Sequence, residues 1–116
     1  MSRVRYLAAG LLCLTGVIHL ARLGIPESGA ALDAIVSLFG VAYLMIAGFL
    51  FRDSKTAYYF GATMPLIGVG VGVCGGILGM LASPTIWMAC LLTFDLAIAA
   101  SCFVLIRSKD RLIALA

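Results

Sequence analysis

The chain has 116 residues, of which 64% are hydrophobic and 11% charged. Its mean hydropathy is +1.18. Soluble domains are about one quarter charged, and a water-soluble fold of this size has no way to hide so much apolar surface. The net charge of +3 does not point to nucleic acid, because the Lys and Arg residues sit at the ends of apolar runs instead of forming a basic stripe.

Four apolar segments follow one another, Tyr6–Leu23, Ala31–Phe51, Ala57–Ala82 and Ile86–Ile106. Each reaches the roughly 17 to 25 residues that cross a hydrocarbon core as a helix. A membrane barrel would instead show polar alternation in segments of about 10 residues. The expectation is an all-α membrane protein, a single integral membrane domain over residues 1–116 folded as a four-transmembrane-helix antiparallel bundle.

The first segment follows Arg3 and Arg5, as a signal peptide would. However, His19 and Arg22 occupy the stretch where a small-residue cleavage site would lie, so the segment is expected to be retained. The connections contain Gly24–Gly29, the charged turn Arg52-Asp53-Ser54-Lys55 and the tight Ser83-Pro84-Thr85. With Arg52 and Lys55 placed inside, Arg3, Arg5, Arg107, Lys109 and Arg111 also fall inside and only Arg22 remains outside. This asymmetry predicts a multi-pass protein of a cytoplasmic (inner) membrane with both termini cytoplasmic.

An ungapped offset of 52 aligns the first pair of segments with the second, matching Tyr6 to Tyr58, Gly16 to Gly68, Ile46 to Ile98, Ala47 to Ala99 and Phe51 to Phe103. About twelve of some fifty pairs are identical, where composition alone gives roughly four, which motivates a tandem repeat of two helical hairpins.

The third segment carries Gly61, Pro65, Gly68, Gly72, Gly75 and Gly79 at spacings that alternate between 4 and 3. Such a side-chain-free seam admits another backbone closely, inside the bundle, at a self-association surface or around a flat ligand. Pro65 leaves the carbonyl of Gly61 without its usual donor and predicts a kink.

Asp95 lies near the middle of the fourth segment. A carboxylate at a helix centre in lipid costs about 2.5 to 3.5 kcal/mol, so it should face the protein interior, and desolvation favours its neutral form. Thr15 and Tyr43 are expected at similar depth, Tyr43 being the equivalent of Asp95 under the repeat. This set reads as a hydrogen-bonded lock, as a proton- or cation-coupling centre, or, at Asp95, as a partner for a basic group on another protein.

An outer polar cluster is expected from His19 and Arg22 on the first segment and Asp33 and Ser37 on the second, with His19 and Asp33 at comparable depth. A lone histidine supplies only one axial ligand, so a haem reading requires a symmetric dimer or a partner.

Cys13, Cys74, Cys90 and Cys102 all fall inside apolar runs without metal-ligand spacing and read as small hydrophobes. Paired intramembrane carboxylates, a Gly-x-Ser-x-Gly turn and a phosphate loop are missing, so no enzyme, metal site or cofactor is expected.

Length and helix count resemble those of the small multidrug-resistance exporters. Their essential first-helix glutamate and balanced flanking charge have no counterpart here, so no residue is carried over. The leading expectation is a transporter or channel-type protein for a small solute or ion, homo-oligomeric, with Asp95 as its protonatable centre. The alternatives are a non-catalytic accessory subunit of a larger membrane complex, respiratory or redox in kind, and a haem or quinone binder.

Overall fold

A computed structural model describes residues 2–21, 30–77 and 86–115, with side chains placed for 2–21, 33–74 and 89–115. Among the described residues every regular element is helical: α1 (Ser2–Ala21), α2 (Ala30–Phe51), α3 (Lys55–Ile77) and α4 (Ile86–Ala114). All four are long and apolar enough to span a membrane. The helices pack as a ring in which α1 touches α2 and α4, and α3 touches α4 and α2. The result is an elongated body of 53 × 25 × 20 Å.

Helix limits depart from the apolar runs at the charged ends. α1 starts at Ser2 and α3 at Lys55, while α4 continues past Ile106 to Ala114. Hydropathy marks only the stretch that suits hydrocarbon, whereas Arg, Lys and Asp are compatible with a helix that runs on into a polar layer. At about 1.5 Å per residue, α4 is roughly 44 Å long and exceeds a hydrocarbon core of about 30 Å. The expected ends at Leu23 and Ala82 lie outside the described residues.

The interior is built from small residues. Ala8, Ala9, Ala47, Ala57 and Ala99 are buried among Leu12, Ile46, Leu50, Ile98 and Leu105. α1 and α2 cross at a pair of glycines: a Cβ on Gly16 would lie 3.0 Å from the Gly40 carbonyl oxygen, and one on Gly40 would lie 3.0 Å from that of Gly16. Backbones brought this close gain dispersion along the whole crossing, which is the main attraction left between helices when their surroundings are as apolar as they are. Large apolar side chains point outward instead, among them Leu38, Met45, Phe49, Phe60, Leu66 and Phe103, each at least half exposed.

α2 ends in a two-bond cap: the Asp53 amide donates to the Leu50 carbonyl at 3.0 Å and the Ser54 amide to Phe49 at 3.2 Å. This cap requires a left-handed residue, and Asp53 takes that role at φ 59°. Aspartate tolerates the conformation better than most L-residues. The turn then starts α3, with the Ala57 amide donating to the Ser54 carbonyl at 3.1 Å.

The cap aims the Asp53 carboxylate at three other helices' side chains. Its Oδ1 accepts from Arg5 Nη1 of α1 at 3.0 Å and from Lys109 Nζ of α4 at 2.9 Å. The Tyr58 hydroxyl of α3 donates to the same oxygen. Lys109 also lies over the Tyr58 ring, 4.9 Å from its centroid. A second pair, Lys55 to Asp110 at 3.3 Å, joins α3 to α4 nearby. These donors, the Tyr58 hydroxyl first, hold the Asp53 carboxyl well below the usual carboxylate range.

Because its folded-state affinity for protons is depressed, Asp53 stabilises the fold above the ordinary carboxylate range, and that contribution fades as pH falls. Asp53→Asn keeps a side chain suited to the left-handed turn but removes the charge. The variant is expected to be less stable than wild type by about 1 kcal/mol at pH 7, with the two unfolding curves converging between about pH 5 and pH 2. Thermal unfolding in detergent across that range checks it; a gap independent of pH would contradict the ionic account.

Candidate functional site

Polar groups meet inside the bundle at the level of Gly68. A Cβ on Gly68 would lie 2.9 Å from the Tyr43 hydroxyl oxygen and 3.2 Å from Asp95 Oδ2, with Phe39 Cε1 at 3.7 Å. The absence of a side chain on α3 at this point therefore makes the room in which the α2 phenol and the α4 carboxylate approach each other. Tyr43 is fully buried and Asp95 is 3% exposed.

Tyr43 makes ring contacts with two neighbours. The His19 ring meets it edge-on with centroids 5.4 Å apart, and the Phe39 ring does so at 6.1 Å. His19 in turn is tied to its own helix through Nδ1, 2.8 Å from the Thr15 carbonyl oxygen. The chain of contacts runs from α1 through Tyr43 to Asp95.

Thr15 differs from four other hydroxyl residues of the helices. Ser37, Thr63, Thr93 and Ser101 each donate to the carbonyl one turn back in their own helix, at 2.5 to 2.9 Å. That bond satisfies a hydroxyl locally. Thr15, at 0% exposure, makes no such bond, and Thr15 Oγ1 and Asp95 Oδ1 are buried without a hydrogen-bond partner, while the buried Tyr43 hydroxyl interacts with the Asp95 carboxyl. Buried polar atoms are nearly always paired, and leaving one unpaired costs about 1 to 3 kcal/mol. Buried polar oxygens thus come from α1, α2 and α4, and those of Tyr43 and Asp95 meet at Gly68.

The glycine seam divides along its length. Gly61 and Pro65 are buried, and a Cβ on Gly61 would lie 2.6 Å from Cys102 Sγ of α4 and 3.6 Å from Ile46 of α2. Gly68 meets α2 and α4 in the same way, while Gly72 is half-buried. α3 continues as a helix on both sides of Pro65. Gly75 closes the seam within α3 but carries no described side-chain environment, and Gly79 lies outside the described residues.

The outer cluster is divided as well. His19 turns toward Tyr43, Ser37 donates to the Asp33 carbonyl oxygen at 2.5 Å, and Arg22 lies outside the described residues. No group of three or more His, Cys, Asp or Glu side chains able to hold a metal occurs among the described residues. The Asp53 knot and the His19–Tyr43 contact were not singled out from sequence; both join residues far apart in the chain, and no local spacing signals them. Compared with known protein families, with curated proteins and with solved structures, the chain matches none of them.

Gly68→Ala tests the geometry directly, because its methyl must displace the phenol or the carboxylate, whereas a Cβ at Gly70 meets nothing. Gly68→Ala is expected to destabilise by about 1 to 3 kcal/mol, and Gly70→Ala to be neutral or to stabilise by up to about 1 kcal/mol through helix propensity. Unfolding in mixed micelles reads both; equal effects would contradict the convergence on Gly68.

Proposed function

We propose that this chain is a polytopic protein of a cytoplasmic membrane that moves a small solute or ion, with Asp95 taking up and releasing a proton during the cycle. The observation that carries the reading is the buried Asp95 carboxyl, which faces the Tyr43 hydroxyl at Gly68 and keeps Oδ1 without a hydrogen-bond partner. A bundle whose outer surface is apolar and whose interior holds its polar groups is arranged for lipid outside and polar cargo within. Tyr43 would relay or exchange a hydrogen bond with Asp95, and Thr15 would supply a further oxygen from α1. His19 and Phe39 would hold the Tyr43 ring in place.

Lipid contact at the exposed apolar side chains, and cytoplasmic placement of the Arg5–Asp53–Lys109 end, belong to the same proposal. The excess of Lys and Arg at that end supports the orientation. A tandem origin of the two hairpins is supported by burial. Tyr43 and Asp95, Ile46 and Ile98, Ala47 and Ala99, and Leu50 and Cys102 are all buried on corresponding faces of α2 and α4. The first helices of the hairpins have diverged more: Tyr6 is 52% exposed, whereas Tyr58 is 1% exposed and engaged by Asp53.

An accessory subunit docking through the glycine seam is the second reading. It draws less support, because Gly61, Pro65 and Gly68 are spent on contacts with α2 and α4 or buried. The contact of His19 with Tyr43 and with the Thr15 carbonyl favours a positioning role over haem ligation.

Proteoliposomes carrying an internal pH-sensitive dye and a potassium-diffusion potential test the proposal. Wild type is expected to carry proton flux, Asp95→Asn to reduce it to the level of empty vesicles, and Asp95→Glu to retain part of it. Undiminished flux in a correctly folded Asp95→Asn protein would overturn the coupling role.

A further inference from the structure

Beside the Asp53 knot, the start of α1 and the end of α4 enclose an open cleft of about 130 Å³ whose lining includes Ser2, Arg5, Asp53, Ser108, Lys109 and Leu112. Two cations face one carboxylate here. Asp53 receives Arg5, Lys109 and Tyr58 on a single oxygen, Oδ1. Arg5 Nε is buried and has no hydrogen-bond partner. Lys109 Nζ carries three N–H bonds and has two acceptors on Asp53, Oδ1 at 2.9 Å and the main-chain oxygen at 3.5 Å. The first amides of α1, which begins at Ser2, have no acceptor within their own helix, and the helix dipole makes this end attractive to anions.

Charge outside the cleft has the same sign. Arg3, Arg52, Lys55, Arg107 and Arg111 stand against Asp110 at this end of the bundle. Leu105 and the 63% exposed Leu112 form an apolar wall, and opposite it Arg5 and Lys109 leave one positive charge in excess of the Asp53 carboxylate that also lines the cleft. Donors for tetrahedral oxygens next to an apolar wall fit a phosphate group.

We propose that this cleft binds a phosphate group, with Arg5, Lys109 and the first turn of α1 donating to its oxygens. The group would come from the headgroup of an anionic phospholipid or from free phosphate. The proposal rests on the membrane reading only for placing the cleft at headgroup depth, and it does not involve Asp95.

The test uses the full chain in phosphatidylcholine nanodiscs doped with phosphatidylglycerol, with retained lipid counted by native mass spectrometry after release into detergent. A parallel arm titrates inorganic phosphate. Retention of phosphatidylglycerol over phosphatidylcholine, unaffected by millimolar phosphate, assigns the group to lipid; displacement by phosphate, with saturable binding of phosphate alone, assigns it to the free anion. Arg5→Lys keeps the charge but removes Nε, and Ser108→Leu fills the cleft without touching the knot. Each is expected to lower retention about fivefold or more, while Arg107→Gln, which removes charge outside the cleft, leaves it unchanged.

Circular dichroism confirms the fold of each variant. Equal loss in Arg107→Gln, or none in both cleft variants, overturns the proposal in favour of diffuse charge. Wild type that resists alkaline carbonate extraction yet binds neither probe overturns the site and leaves the membrane reading standing. Extraction by carbonate would instead remove the membrane reading, and the phosphate titration alone would then decide the site.

Discussion

A carboxylate turned toward hydrocarbon is costly, and this one constraint organises the interior of the bundle. Asp95 sits among apolar residues on α4 and must be screened by the other three helices. α3 contributes an absent side chain at Gly68, α2 a phenol at Tyr43, and α1 the Thr15 hydroxyl together with the His19 ring that props Tyr43. None of these parts is polar enough to solvate a charge alone. Tyr43 meets the acid at Gly68, and Thr15 adds a buried hydroxyl on α1.

Close packing follows from the same constraint. Helices surrounded by apolar material gain little by hiding apolar side chains, so contact must come from fit. The crossings at Gly16 with Gly40 and at Gly61 with Cys102 and Ile46 provide that fit above and below the polar layer. At one end, the Asp53 turn replaces fit with charge, binding α1, α3 and α4 through a single carboxylate held in place by a left-handed cap. The Asp53 end and the middle thus use different forces, ionic contacts at a half-exposed carboxylate and close packing around buried polar groups.

Much of this was legible in the chain. Four long apolar runs separated by turn residues define the helices, and a lone carboxylate in the fourth run draws attention because its cost has no structural return unless it is enclosed. The recurrence of Gly61, Pro65 and Gly68 identifies one face of α3, and the structure turns that face onto α2 and α4. The Asp53 knot was not legible, since Arg5, Tyr58 and Lys109 become its neighbours only after the ring of helices closes, and a charged four-residue turn looks the same whether solvated or engaged. The last two turns of α4 were missed for a related reason: hydropathy falls at Arg107 although helix propensity does not. His19 reads from its spacing as an outer-face residue, and only the approach of α2 at Gly40 brings it against Tyr43.

The central claim is that the polypeptide crosses lipid four times, with the Asp53 turn on the side of both termini. Reporter fusions truncated after Ala21, Lys55, Ile77 and Leu115 measure this most directly, using a pair of enzymes active on opposite sides of the membrane. The account predicts cytoplasmic activity at Lys55 and Leu115 and external activity at Ala21 and Ile77. Reporters at Lys55 and Ile77 found on the same side would contradict it, because α3 would then not cross the membrane and Gly68 could not share the depth of Asp95.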